Sequence, residues 1–404
     1  MRNFVIYIYH TGMKSESFLT TLSDSFLTKG AEMAGLCLLG ALALLLIVQL
    51  IHHLVTIGRI TRYRNPSPSE EALSKGLSVI IPLYEADHGF LDERLPLFLE
   101  QRLANYEVVV VNVTGDVEVG EQLGLLRIKY GERLTTTKLA ADPLFPISTK
   151  MALNVGIKAA RWENILFTLP DCTPRTERWA EVMARGFVNH SVVLGYASIT
   201  PRKGVWNGVI RCANMVLSAR WLAAIAGGHP YRGTLCNMGF TKATYFAARG
   251  FNHLNLNMGE DDLFVQKIAT KENTVAILGG SSTIDQRSWG GLDWWLPRRL
   301  KLSYPYRFYP LRAKWSTGLE LWSRALFFAV ALAVALFMPP AAKIAAGVAV
   351  ALRFVVVWWQ MKRLSRRLSE RGTVAGWWFY DLVAPAVEAT LSVWRKFVPK
   401  YKWR

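Results

Sequence analysis

Three consecutive carboxylates stand in the stretch Gly259-Glu260-Asp261-Asp262-Leu263. Groups this close repel one another as anions, so the run costs stability unless a cation lies near. A run of this kind suits acid–base chemistry, or the first turn of a helix, where carboxylates offset the helix dipole. Further polar groups follow three apolar runs: Tyr84, Glu85 and Asp87; then Asn112, Thr114 and Asp116; then Asp171 and Thr173. Each group alone reads as an ordinary turn. Three runs that all deliver carboxylates or amides to one edge form a pattern suited to a polar ligand. A last stretch, Trp294-Trp295-Leu296-Pro297-Arg298-Arg299-Leu300-Lys301, combines aromatic rings with planar guanidinium forks. It fits either a phosphate ligand or a helix lying among phospholipid headgroups.

The elements that must position these groups are legible. Leu77 to Pro82 and Ile165 to Leu169 read as buried strands, and Tyr106 to Val113 is a continuous β-branched run. Phe90 to Arg102 and Asn154 to Ala160 have helical spacing. Strands apolar throughout, alternating with helices, imply a mostly parallel sheet covered on both faces. In such sheets ligands bind beyond the carboxyl ends of the strands. Pro66-Ser67-Pro68-Ser69 reads as a linker before the first strand.

The chain of 404 residues is 51% hydrophobic and only 19% charged, with a net charge of +18. The basic residues flank apolar stretches, so lipid headgroups suit them better than nucleic acid. Cys37, Cys172, Cys212 and Cys236 are scattered, with no C-x-x-C pair, which argues against a zinc knuckle or a disulfide framework. Ala34 to Ile57 is long enough to span a bilayer and starts too late for a signal peptide. Ala325 to Met338 and Ala341 to Trp359 form an apolar pair split by Pro339-Pro340. Val374 to Trp394 carries Asp381, Pro385 and Glu388 and either crosses or lies in the interface. Basic loops stay in the cytoplasm, and Arg59, Arg62 and Arg64, like the cluster from Lys362 to Arg371, therefore place the middle of the chain inside.

The blocks SVIIPLYE, EVVVVNVTGD, KMALNVGIKAARWENILFTLPDCTP, GTLCNMGFTKATYFAARGF and GEDDLFVQKI occur in this order and resemble the family 2 glycosyltransferases. With the WWLPRRLKLSY stretch, the resemblance covers Leu77 to about Tyr304. It implies a GT-A-like α/β domain, a nucleotide-sugar donor and a divalent cation, Mg²⁺ or Mn²⁺, on the diphosphate. By that match Asp171 is the metal ligand, and Leu169 stands where the metal motif's first aspartate would be. Asn112 replaces the aspartate usual near the nucleotide base, and Glu85 stands where asparagine is common. The resemblance assigns Asp261 as general base, with Glu260 beside it. It assigns Pro82, Tyr84, Glu85, Asn112, Asp116 and Lys150 to the donor. Asp262, Trp295, Arg298 and Arg299 go to the diphosphate and acceptor.

The expected organisation is a tail over residues 1–33, an anchor over 34–57 and a cytoplasmic glycosyltransferase domain over 65–320. A transmembrane pair over 325–359 follows, then an interfacial or spanning helix with a basic tail over 374–404. The expected activity is inverting sugar transfer to a lipid-linked or membrane-proximal glycan at a bacterial inner membrane, in polysaccharide biosynthesis. A sugar-nucleotide-binding pseudoenzyme partnering another synthase is the alternative, since Leu169 and Asn112 replace two aspartates. A transporter would need more spanning segments. A nucleotidyltransferase would not need the Glu-Asp block.

Overall fold

The computed structural model describes residues 33–67, 74–139, 147–253 and 259–397. Residues 1–32 of the expected tail, the linker residues Pro68 and Ser69, and the basic tail beyond Phe397 lie outside the described residues. The chain divides into two compact units. One comprises Met1–His52 with Glu320–Val357, the other His53–Leu319 with Trp358–Arg404.

The larger unit is built on strands β1 (Leu77–Leu83), β2 (Tyr106–Asn112), β3 (Leu134–Lys138), β4 (Asn164–Phe167), β5 (Cys172–Pro174), β6 (Val192–Gly195), β7 (Ala197–Ile199), β8 (Met238–Thr241), β9 (Thr274–Ile277) and β10 (Ile284–Gln286). Seven of these form one sheet in the order β3-β2-β1-β4-β8-β6-β9. The sheet is mostly parallel, as expected: β8 runs antiparallel to β4 and β6, and the other pairings are parallel. Every residue of β1 and β2 is buried, which is why Val79 to Ile81 and Val108 to Val111 read as unbroken apolar runs. Burying each such Val or Ile side chain stabilises the fold by ~1.5–3 kcal/mol. The pairing of Leu83 with Asn112 aligns the carboxyl ends of β1 and β2.

Helices follow the strands with informative differences from expectation. The helix after β1 begins as a π-turn at Phe90–Arg94 and continues as α1 (Leu95–Leu99), ending before Arg102. Pro96 lies in the first turn of α1, where its missing N–H is tolerated but the preceding ladder must shift. Helix α2 (Val117–Tyr130) follows β2. Helix α3 (Thr149–Ala159) starts five residues earlier than its apolar spacing suggests, because the Ser148 hydroxyl caps it by accepting from the Met151 N–H at 3.3 Å. A second sheet, β5-β10-β7, pairs Gln286 with Cys172 on one side and Ile199 on the other.

Helix α4 (Val205–Ala226) is long and apolar enough to cross a membrane, yet 67% of its apolar window is buried. Helices α5 (Asp262–Ile268), α6 (Leu292–Ser303) and α7 (Val374–Phe397) follow it in the chain, and α4 packs against β7 and α7. Along α7, Trp377, Tyr380, Ala384 and Leu391 are buried, whereas Trp378, Phe379, Leu382, Trp394 and Phe397 are exposed. The Glu370 carboxylate, before α7, accepts from Tyr196 Oη at 2.7 Å and Arg211 Nη2 at 2.8 Å, and also from the Ser198 hydroxyl.

The smaller unit draws on three helices that span Met33–Arg62, Leu311–Phe337 and Pro340–Arg367, each long and apolar enough to cross a membrane. The two C-terminal ones extend past the apolar windows at Ala325–Met338 and Ala341–Trp359, because their polar ends are good helix formers that apolarity does not mark. Leu42, Phe327, Val334 and Ala346 form an apolar cluster. Gln49 interrupts the anchor for a reason: its Nε2 donates to Ser323 Oγ at 2.7 Å and to the Glu320 carbonyl at 3.1 Å, and its Oε1 accepts from Arg353 at 3.0 Å. Buried polar groups in an apolar bundle need such partners.

Gly239 lies in β8 where a Cβ would sit 2.1 Å from the Ile165 carbonyl oxygen of β4. Gly239→Ala is therefore expected to destabilise the protein by ~1–3 kcal/mol. Gly120, in α2, has open space at that position. Gly120→Ala should gain ~0.5–1 kcal/mol instead. Thermal unfolding of the purified protein checks both; equal melting temperatures would contradict the strand packing.

Candidate active site

At the end of β1, Pro82 is paired with Val111 inside the sheet, and Tyr84 emerges half-buried. Burial pushes the Tyr84 phenol up to about 12; Thr149 beside it pulls the other way, and the Glu260 carboxyl adds to the rise. Glu85 is exposed. Asp87 accepts from the Phe90 N–H at 2.9 Å and pairs with Arg94 at 2.5 Å. Arg94 Nε also donates to the Pro170 carbonyl at 2.8 Å, which ties the β1 loop to the β4 loop.

The β2 loop is held by its own side chains. Asn112 Oδ1 accepts from the Thr114 N–H at 3.0 Å and the Thr114 hydroxyl at 2.7 Å. Asp116 Oδ1 caps α2 by accepting from the Val119 N–H at 3.2 Å. Both residues expected at the donor thus shape this turn, and none of these bonds uses the Asn112 amide N–H donors.

Beyond β4, Leu169 packs against the apolar core, so this edge presents Asp171 as its carboxylate. Asp171 Oδ2 accepts from Gln286 Nε2 at 2.9 Å, and the Asp171 carbonyl accepts from the Arg287 N–H at 2.8 Å. Gln286 Oε1 accepts in turn from Arg298 Nη2 at 2.5 Å. The amide of Gln286, 4% exposed, therefore joins the β4 loop to α6. Among the described residues no group of three or more His, Cys, Asp and Glu is placed to hold a metal ion. A hard cation wants about six oxygens. The residues present fit one only if the diphosphate and water complete the set around Asp171.

The acidic run separates in space. Asp261 caps α5, its Oδ1 accepting from the Asp262 N–H at 2.8 Å, so it occupies a helix N-terminus as a first-turn carboxylate would. Asp262, 1% exposed, pairs with Arg232 at 3.1 Å and accepts from the Tyr309 hydroxyl. Burial pushes its carboxyl up to about 7, with Arg232 the largest opposing pull. Glu260 is 7% exposed, and burial pushes it up to about 7 as well; Lys150 and Lys301 pull it down and Asp261 raises it. Burial holds the Lys150 ammonium below the usual lysine range, while Glu260 opposes. Tyr84, Lys150 and Glu260, from three elements, are thus brought together.

Helix α6 divides its cations. Arg299 pairs with Glu388 of α7 at 2.7 Å, whereas Arg298 lies over the Trp294 ring and donates to Gln286. Trp295 is buried. Sequence reasoning missed Lys301, Gln286, Arg232 and Tyr309. Lys301 stands three residues after Arg298, helical spacing that puts it on a neighbouring face; the other three carry no local signal.

In structure the chain is similar to the mannosyltransferase PcManGT from Pyrobaculum calidifontis, solved in complex with GDP-Man and Mn²⁺. The TM-score is 0.53 at 17% sequence identity, covering 85% of this chain and 99% of that one. It is also similar to S. aureus TarS 1–349 in complex with UDP-GlcNAc, with a TM-score of 0.40 at 14% identity, covering 77% of this chain and 92% of that one. At such identities the likeness to PcManGT is one of fold. No protein-family model and no curated relative matches the chain.

The raised Glu260 carboxyl has a sign in stability. A folded-state value of about 7, above the ordinary 4.5, means the native state holds its proton more tightly than the unfolded chain. That stabilisation is full below the ordinary value and is lost as pH rises through about 7. Melting temperature is expected to fall between pH 5 and pH 8 (roughly the interval around the shift), and Glu260→Gln should flatten part of that fall, Asp262 retaining the rest. An unchanged pH profile in the variant would contradict the burial of Glu260.

Proposed function

We propose that the chain is an inverting family 2 glycosyltransferase of GT-A type, moving a sugar from a nucleotide-sugar to a lipid-linked or membrane-proximal glycan. The observation that carries this reading is the threefold division of Glu260, Asp261 and Asp262. It leaves Asp261 partly exposed at a helix N-terminus, while Glu260 is buried and Asp262 is buried and paired with Arg232. Asp261 is the general base: it takes the proton of the acceptor hydroxyl, which attacks the anomeric carbon opposite the departing nucleoside diphosphate. Attack from that face inverts the configuration. Asp262 is a positioning residue, holding the start of α5 through Arg232 and Tyr309. Lys150 and Lys301 offset negative charge near Glu260.

The likeness of fold to PcManGT, solved with GDP-Man and Mn²⁺, supports a nucleotide-sugar donor and a divalent cation here. When bound at Asp171, the cation offsets charge on the leaving diphosphate. On this reading Tyr84, Glu85, Asn112, Asp116 and Lys150, with Pro82 buried behind them in the sheet, form the donor side. The three long apolar helices outside the sheet, with their basic flanks, support an inner-membrane enzyme with its catalytic unit in the cytoplasm. One observation favours a second reading, a sugar-nucleotide-binding pseudoenzyme: Leu169 packs against the core, and among the described residues Asp171 belongs to no group of three or more His, Cys, Asp and Glu that could hold a metal ion.

Asp261→Asn separates the two. It keeps the shape and the helix cap but removes the base. Transfer of radiolabelled sugar is expected to fall by ~10²–10⁴-fold with donor binding retained. Asp262→Asn should instead lower the melting temperature by breaking a buried ion pair. Normal transfer in Asp261→Asn would reject the base assignment, and no transfer by the unaltered protein with any donor would favour the pseudoenzyme.

A further inference from the structure

On a helix at the surface of a protein in water, charged side chains face outward and apolar ones face the core. Along α7 the order is reversed. Its outward stripe is Trp378, Leu382, Ala386, Val393, Trp394 and Phe397. From Trp378 to Trp394, all within the described residues, no exposed position carries a charge. Both carboxylates of this stretch turn inward: Asp381 is 2% exposed, and Glu388 accepts from Arg299 of α6 at 2.7 Å. A contiguous apolar face of this length marks a contact with something other than water.

The inner side of α7 is occupied by its own unit from end to end. Trp377, Tyr380, Ala384 and Leu391 are buried, and the helix rests on α4 and α6. A Cβ on Gly376 would sit 2.9 Å from the Gly208 carbonyl oxygen, so α7 and α4 approach closely at one end. At the other end Arg395 donates to the Ser303 carbonyl at 2.6 Å. A helix that crosses a bilayer keeps polar partners within a bundle and shows lipid an apolar surface. Here one side meets the polar groups of a sheet-based unit and the other side is bare and apolar, the division expected of a helix lying in the membrane plane.

The apolar surface continues onto α4. Val205 and Trp206 are exposed, and the Trp206 ring meets the Phe379 ring edge-on at 6.0 Å. Exposed cations stand at its rim: Lys203 before α4, Arg371 before α7 and Lys396 near the end of α7. Tryptophan suits the headgroup layer, and lysine and arginine suit anionic headgroups. A second copy docked on this face would instead bring a second set of the same cations to its rim. Three other helices of the chain are long and apolar enough to cross a membrane, which keeps a bilayer within reach.

We propose that α7 and the start of α4 form a docking surface for an anionic lipid leaflet, with α7 lying in the membrane plane. The surface contains none of the residues placed in the reaction, so its test is independent of sugar transfer.

The test uses the full-length protein in nanodiscs, with Cys37→Ser to remove the exposed native thiol. A nitroxide label is attached through Leu382→Cys or Val393→Cys, one at a time, and its depth is read from relaxation by oxygen and by a water-soluble nickel complex. Both labels should favour oxygen and lie at the same shallow depth, about 5–10 Å below the headgroup boundary. A depth difference approaching ~16 Å, the rise of eleven helical residues, would mean that α7 crosses the bilayer and would overturn the proposal. Preferential access by the nickel complex would place the face in water and overturn it. Loss of access to both relaxants, with dipolar broadening between labels, would assign the face to a second copy; the same loss without broadening would assign it to another protein surface. Either result overturns it. Replacing part of the phosphatidylcholine by phosphatidylglycerol should raise the oxygen preference, and Lys203→Gln combined with Lys396→Gln should abolish that rise. Equal readings in the two lipids would overturn the assignment to an anionic leaflet.

Discussion

Three neighbouring carboxyl groups cannot all be buried and ionised together without cations to hold them, and the centre of this molecule is arranged around that constraint. Each member of the run Glu260-Asp261-Asp262 meets a different environment. Asp262 turns inward to Arg232 and Tyr309. Glu260 is buried near Lys150 and Lys301, with its carboxyl pushed up to about 7. Asp261 stays at the mouth of a short helix and binds the next backbone N–H. The partners come from separate parts of the larger unit: a helix after β3, a loop before β8, the helix Leu292–Ser303 and the residues just beyond it. Moving any of these elements would leave a buried carboxyl without the cation or hydroxyl that offsets its charge, so the electrostatics of one tripeptide constrain the packing around it.

A second polar connection runs parallel to the first. Asp171 and Arg298 bind opposite ends of the Gln286 amide. The geometry uses the chemical asymmetry of glutamine: its N–H donor faces the carboxylate and its carbonyl faces the guanidinium. A glutamate there would repel Asp171, and a leucine would leave both buried partners unsatisfied. The smaller unit relies on the same device, since Gln49 donates to Ser323 and the Glu320 carbonyl and accepts from Arg353. In both units a single neutral amide sits where a charged residue would need a counterion.

Strands were the most legible part of the fold. Val108 to Val111 and Val79 to Ile81 are apolar on both faces because both faces of the sheet are covered, and the carboxyl-end rule then pointed to Tyr84, Asn112 and Asp171. Helix boundaries were less legible. Ser148 starts a helix through one capping bond, and the polar ends of Leu311–Phe337 and Pro340–Arg367 carry no apolar signal. The antiparallel placement of β8 follows from long-range pairing with β4 and β6 and has no local mark. Within the site, the titratable residues stood out by type, but their partners did not. Arg232, Gln286 and Tyr309 are 30, 115 and 47 residues from Asp262, Asp171 and Asp262 in sequence, and only the folded chain brings them together. Arg298 and Arg299 were indistinguishable as neighbours in sequence. Consecutive helix positions point about 100° apart, and this sends one to Gln286 and the other to Glu388.

The most direct measurement is calorimetric titration of the purified protein with a panel of nucleoside diphosphates, with Mn²⁺ and again with a chelator. If the open end of the sheet is a nucleotide-sugar site completed by a cation at Asp171, one nucleoside diphosphate binds with Mn²⁺. That binding is lost on chelation, and Asp171→Ala loses it to the same extent. Absence of binding by every nucleoside diphosphate, or affinity indifferent to both the chelator and Asp171→Ala, would contradict it.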